Sequence, residues 1–386
     1  MRLRAPIGLL ALLALAATCA AAASAATPQD TRTLLRLASG ITRLKVQRPV
    51  PVVVQAPATV RKRRLALAGR FYPGAARAHD ATLYRALGLT PTRAAASRAL
   101  EPVQPAALFY DPLTRRLVVP RGGRPNRQAL MRAVVSALQD QHFDLARATR
   151  LAGNRDALAA ARAASEGYSL LVAQLFATRT TSGHATGRIE RFLALLDGFH
   201  STRGVRFAAE LRNLGADRAV WTALKAFPAS TEQVFHLDKF LQRERPLPIV
   251  LPVDAAGLTL ASDDTWGELD VRALLAVYGV PGLDRAATGW GGGRSAVYRG
   301  AGGEEAVAIA LDWDSPLDAQ QWRDAARRYV ATAFDGAAAS SCGAEACWEL
   351  DGRGIAFARA GARTALVFAA DAATADEVAR TLVPAP

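Results

Sequence analysis

The chain has 386 residues, 51% of them hydrophobic, with 48 Lys and Arg against 34 Asp and Glu and a formal net charge of +14. That length accommodates two to three domains with an ample core. Past the first 25 residues no stretch reaches the roughly 18 uninterrupted apolar residues of a membrane-crossing helix, so the sequence excludes a transmembrane helix in the mature chain.

Residues 1–25 read as an export signal. Arg2 and Arg4 form a charged start, 9–17 an apolar run, and Ala23-Ser24-Ala25 a small-residue cleavage site. The mature protein is therefore expected to be periplasmic or extracellular. Cleavage also removes Cys19, leaving Cys342 and Cys347. Two cysteines so close together in an oxidising compartment are expected to bond to each other.

Residues 26–59 contain a short amphipathic helix, TRTLLRLASGITRL, and then Pro49-Val50-Pro51-Val52-Val53-Val54. The second piece reads as an extended edge or linker, because proline has no N–H for a central strand. A helical pattern returns over 60–88 and carries the densest basic run, Arg61-Lys62-Arg63-Arg64. In an exported protein such a patch points to acidic envelope polymers or lipid headgroups rather than nucleic acid; a solvated basic edge without a partner is the plainer reading. Apolar runs at 107–110 and 116–119 flank Asp111-Pro112-Leu113-Thr114, which predicts a β-hairpin.

In residues 126–145, NRQALMRAVVSALQDQHFDL, Leu130, Val134, Val135, Leu138 and Leu145 recur at helical spacing and predict one buried face. Asp140 and Asp144 share a face from which His142 points away, so they form no metal trio. From 154 to 227 the pattern is helical, with breaks at 178–187 and near Gly204 and Gly215; the segment 156–176 carries Glu166. Ser230-Thr231-Glu232-Gln233 reads as a capping box, and Thr265-Trp266-Gly267-Glu268 as a second one. His236 is expected to be packed or at the surface rather than a ligand. After Pro281 the character changes. Gly289-Trp290-Gly291-Gly292-Gly293-Arg294 reads as a turn before a strand at 295–298; it lacks the Gly-Lys-Ser/Thr end of a phosphate loop. Strands are expected at 306–313, 347–350, 354–358 and 364–369, and helices at 316–334 and 375–383. Residues 285–386 thus read as an α/β sandwich.

The helix at 126–145 resembles one found in secreted bacterial proteins related to zinc metallopeptidases, which reads roughly HELTHALQDQHFDL. The tail Ala137-Leu138-Gln139-Asp140-Gln141-His142-Phe143-Asp144-Leu145 matches that pattern. Tyr110-Asp111-Pro112 with Thr114 resembles the segment before that helix, and STEQVFHLDKFL and TWGELDVRALL resemble further signatures. The likeness runs with gaps from about 60 to 335. The chemical part departs, because His-Glu-x-x-His is replaced by Arg132-Ala133-Val134-Val135-Ser136. Two histidines four apart hold zinc while the glutamate acts as general base. Arg132 is a permanent cation, Ala133 has no proton acceptor, and Ser136 is a poor ligand. The resemblance implies a third ligand, a glutamate, which corresponds to Glu166.

The expected fold is therefore α+β: a mainly helical zincin-like core with a small hairpin over 60–284, then the sandwich over 285–386. The resemblance implies that zinc and catalysis are lost, that Arg132, Ser136 and Glu166 still converge, and that Arg132 replaces the metal as partner of Glu166. The function implied is a pseudo-peptidase with a binding or structural role in the cell envelope, with a peptide or protein in the vestigial cleft. The alternatives are an active hydrolase with a non-standard site, and an envelope-surface protein that meets anionic polymers through its basic face.

Overall fold

The computed structural model describes residues 28–102, 104–123, 126–176, 187–336 and 338–383. The expected export signal at 1–25, with Cys19, and most of the expected break at 178–187 lie outside the described residues.

The first half of the chain is mostly helical. It runs through α1 (Pro28–Thr42), β1 (Val52–Gln55), α2 (Pro57–Phe71), α3 (Gly74–Ala86), α4 (Arg93–Ala99), β2 (Phe109–Asp111), β3 (Arg116–Pro120), α5 (Arg127–Phe143) and α6 (Arg155–Ala173). Then come α7 (Arg188–Gly198), α8 (Arg203–Lys225), α9 (Thr231–Phe235) and α10 (Leu237–Gln242). The Asn126 side chain caps α5 by accepting from Ala129 N, and the helix ends where Asp144 turns left-handed, at φ 49°. Its apolar stripe, with Leu130, Val134 and Leu138, packs with Leu34 and Leu35 of α1, Leu117 of β3, Tyr168 of α6 and Phe207 of α8. A Cβ on Gly167 would stand 2.4 Å from the Gly204 carbonyl carbon. Only glycine lets α6 and α8 approach that closely.

The Pro/Val stretch supplies an edge strand, as expected: β1 runs parallel to β3 in a three-stranded sheet of order β1-β3-β2. The expected hairpin is β2–β3. Asp111 holds its turn by accepting from Leu113 N at 3.0 Å and Thr114 N at 3.3 Å.

The second half is built on a curled, seven-stranded antiparallel sheet of order β4-β5-β6-β7-β10-β9-β8. Its elements are β4 (Asp254–Ala255), β5 (Leu258–Thr265), α11 (Glu268–Val277), α12 (Leu283–Ala287), β6 (Trp290–Arg299), β7 (Glu305–Trp313), α13 (Pro316–Ala333), β8 (Ala346–Leu350), β9 (Arg353–Ala360), β10 (Arg363–Ala369) and α14 (Ala372–Leu382). On one face Trp322 and Tyr329 of α13 pack with Trp290, Ile309 and Trp313. On the other, Ala375 and Val378 of α14 pack with Ala308, Ala356 and Val367. Cys342 and Cys347 are bonded, with an S–S distance of 2.12 Å. No helix among the described residues is long and apolar enough to cross a membrane.

Three expectations need correction. The division at 284/285 falls inside the sheet body, because β5 pairs with β6. Leu83, Tyr84 and Leu87, from the α3 region, also share a core with Trp266 and Trp290. Non-local pairing draws these early segments onto the later sheet; β2 and β3 stay in their own sheet. The glycines of 289–294 lie largely within β6 rather than before it. Leu247 N donates to Gly291 O at 2.7 Å, and a Cβ on Gly292 would stand 2.4 Å from Leu247 O. The run therefore admits a crossing backbone. Finally, Gly267 rather than Thr265 caps α11, with Asp270 accepting from Gly267 N at 2.9 Å.

A buried ionic tie joins the halves. Arg155, at the start of α6, donates to Asp80 of α3 at 2.5 Å, to Asp270 of α11 at 2.6 Å and to the Tyr84 hydroxyl at 2.9 Å. Next to it, Asp156 accepts from Thr231 N at 3.0 Å and from the Thr231 hydroxyl.

Candidate functional site

Helices α5 and α6 lie side by side and bring the anticipated residues together. The Arg132 guanidinium donates to Glu166 Oε2 at 2.8 Å. One turn before Glu166 on α6, Arg162 Nε donates to Oε1 at 2.9 Å. His200, between α7 and α8, places Nε2 3.4 Å from Oε2. Ser136 sits one turn along α5 from Arg132. It donates back to Arg132 O at 3.1 Å and lies 3.1 Å from Ser169 Oγ. Gln139 Nε2 in turn donates to Ser169 Oγ at 2.9 Å. Ala133 is packed in the helical core.

Burial pushes the Glu166 carboxyl up, but Arg162, His200 and Arg132 together outweigh it and hold the group well below the usual carboxylate range. Glu166 keeps 30% of its side chain exposed, so water shares in stabilising its charge. For His200 burial wins over the attraction of Glu166 and lowers its pKa. The site is thus an anionic carboxylate held between fixed guanidiniums.

This donor set does not fit zinc. Glu166 spends both oxygens on arginine N–H groups, and Arg132 would place a like charge beside the ion. Ser136 is engaged with Ser169, and Ala133 supplies no base. No step of metal-assisted hydrolysis can be built from these residues.

The basic run on α2 is divided. Arg61 and Lys62 are exposed. Arg63 pairs with Asp111 at 2.8 Å. Arg64 donates to Gln104 Oε1 at 3.0 Å and stands over the Phe109 ring. Burial, then repulsion from Arg132, lowers the Arg64 pKa, so this residue borders the Glu166 cluster.

Other polar constellations are structural. His79 lies buried, 2.9 Å from both Ser262 Oγ and Ser295 Oγ. Burial and then Arg155 push its pKa down to about 4, which keeps it neutral and ties α3 to the sheet. Glu232, Glu244 and Asp314 converge, but Lys239 Nζ stands 2.6 Å from each of them. His236 is packed against Glu268 at 3.0 Å.

Sequence reasoning missed Arg162 and His200. The i,i+4 spacing of Arg162 to Glu166 was a readable signal; nothing local marks His200, which a chain reversal brings in.

A family model described as a domain of unknown function (DUF8575) matches residues 258–379, less than half the chain. The match begins with β5 and ends within α14, so it lies on the sheet body. No curated protein and no solved structure matches the chain.

Proposed function

We propose that this protein is an exported, metallopeptidase-like scaffold that works without metal, as a binding or structural protein of the cell envelope. The observation that carries this reading is the capture of Glu166 by Arg132 and Arg162, at 2.8 and 2.9 Å. A guanidinium meets a carboxylate with directed N–H donors, so the position of a third metal ligand is satisfied by protein alone. The zincin-like architecture rests on the motif tail of α5 and on the convergence of Arg132 with Glu166 from neighbouring helices. Export rests on the pattern of residues 1–25.

Metal analysis of protein purified without chelator, paired with a broad peptidase screen, tests the reading. The expected result is zinc far below one ion per chain and no peptide hydrolysis. Stoichiometric zinc, with hydrolysis lost on chelation, would overturn it. The export arm is tested by mass spectrometry of protein recovered from cell fractions. The expected product lacks residues 1–25; an uncleaved chain confined to the cytoplasm counts against it.

A further inference from the structure

The side chains of Asp140, Gln141 and His142, at the C-terminal end of α5, hold a basic recess in place. Gln141 is buried and clips residues 47–48 to the helix. Its Oε1 accepts from Gln47 N at 2.8 Å and Arg48 N at 3.2 Å, while its Nε2 donates to Arg48 O at 2.9 Å. The His142 ring completes the clip, with Nε2 2.7 Å from Lys45 O and Nδ1 3.2 Å from Gln47 Nε2. Asp140 accepts from the Tyr110 hydroxyl and from Leu145 N, both at 2.7 Å. None of these contacts touches Glu166. What they position is a cavity of about 360 Å³ lined by Arg48, Arg115, Arg147 and Lys225, against the two carboxylates Asp140 and Asp144.

The cations are not equivalent. Arg147 donates to Phe143 O, Leu224 O and Lys225 O, and so covers the negative C-terminal ends of α5 and α8. Arg115 lies 3.9 Å from Asp140, which is already spent on Tyr110 and Leu145. Its φ is 55°, at the end of a hairpin turn where glycine is the usual residue. An arginine therefore stands here in a conformation that glycine adopts more readily. Arg48 and Lys225 have no ion-pair partner among the described residues. A second cavity of about 560 Å³ shares Arg48 and adds Arg32 and Arg36, with no carboxylate in its lining.

We infer that this pair of adjoining cavities is a binding groove for a linear acidic polysaccharide, whose repeated carboxylate or phosphate groups pair with Arg48, Arg115 and Lys225 and continue towards Arg32 and Arg36. The cations are strung along two adjoining recesses that share Arg48, an arrangement that one extended chain of repeated anionic groups can follow. The only Phe, Tyr or Trp lining either cavity is the buried Phe143, so there is no exposed ring platform on which nucleic-acid bases stack. The binding depends on fixed charge and is weakened by salt.

The test uses the full mature chain and a fluorescently labelled oligogalacturonate, read by anisotropy across a salt series. Monomeric galacturonate, inorganic phosphate, single-stranded poly(dT) and anionic lipid vesicles serve as competitors. The polymer is expected to bind, and monomer or phosphate to compete only weakly. Arg48→Gln combined with Arg115→Gly should weaken binding about tenfold or more, the scale of one or two lost charge-assisted contacts. It should also reduce the salt slope by roughly two. The melting curve should stay intact, since glycine suits the backbone at 115. The matched control Arg93→Gln with Arg98→Gln, which removes equal charge from α4, should leave binding within about twofold. Absence of polymer binding at low salt overturns the proposal. So does an equal loss in the control, a loss confined to Arg61→Gln with Lys62→Gln on α2, or stronger competition by poly(dT) or vesicles than by polymer. Metal content plays no part in these outcomes, so this inference and the metal-free reading fail separately.

Discussion

Arg132→Ala removes one of the three side chains that hold Glu166 and leaves Arg162 and His200 in place. A charge-assisted hydrogen bond nets about 1.5–3 kcal/mol when well shielded. Here the Arg132 side chain is 39% exposed and Glu166 30%, which pulls the value towards the surface range of about 0–1 kcal/mol. The expected loss is about 1 kcal/mol. Removing Arg162 as well should cost more than the two single losses added, because Glu166 then keeps only His200 and burial is no longer offset. The assay is urea denaturation of a double-mutant cycle with Glu166→Gln. Arg132→Ala should cost almost nothing once the carboxylate is gone, giving a coupling of about 1 kcal/mol. The sign with pH follows from the depressed Glu166 pKa. The unfolded chain takes up its proton near pH 4.3, so the stabilisation is complete above that value and is lost as pH falls below it. A coupling under about 0.3 kcal/mol at pH 7, or one that grows between pH 6 and pH 3, would refute the reasoning.

Arg155→Met leaves Asp80 and Asp270 buried without their shared cation, and should cost about 3–5 kcal/mol; a thermal-unfolding loss under about 1 kcal/mol would mean that the tie is dispensable. Asp156 is pushed up to about 7, chiefly by burial, with Thr231 opposing and Asp270 reinforcing. Between about pH 4 and that value the native state keeps a proton the unfolded chain has lost. Stability from this group therefore falls as pH rises, by up to about 1.4 kcal/mol per unit. Denaturant titrations from pH 5 to 8 should show Asp156→Asn flattening that decline, and an unchanged profile argues against the assignment. Introducing Arg132→His, Ala133→Glu and Ser136→His should still fail to bind zinc, because Arg162 remains on Glu166 and the new glutamate enters a packed position. Adding Arg162→Gln should raise metal content; zinc uptake by the triple variant alone would show that Arg162 does not block the site.

Much of the first half was legible because its signals are local. The 3.6-residue recurrence of Leu130, Val134 and Leu138 specifies a helix with one buried face wherever the chain places it. Asp111-Pro112 specifies a turn by side-chain chemistry, and the prolines before Val52 confine that segment to a sheet edge. The pairing of Cys342 with Cys347 followed from their proximity together with the expected export to an oxidising compartment. The glycine run at 291–293 was misplaced for a reason that is not local: its small residues serve the backbones of Leu247 and Trp266, which cross β6 from elsewhere.

Residue chemistry carried by the sequence alone determined that positions 132–136 offer no pair of zinc ligands and no general base, because Arg132 is a cation and Ala133 has no acceptor in any fold. It also determined the identity of the flanking helices, hairpin and strands, since short-range periodicity and caps act within a few residues. Only the tertiary structure decided that α3 and β5 belong with the later sheet, that Arg162 and His200 join Arg132 on Glu166, and that the tail of α5 holds Arg48 beside Arg115 and Lys225. Those pairings span tens to hundreds of residues, and their free energy comes from shared burial and converging charge, which no local pattern records.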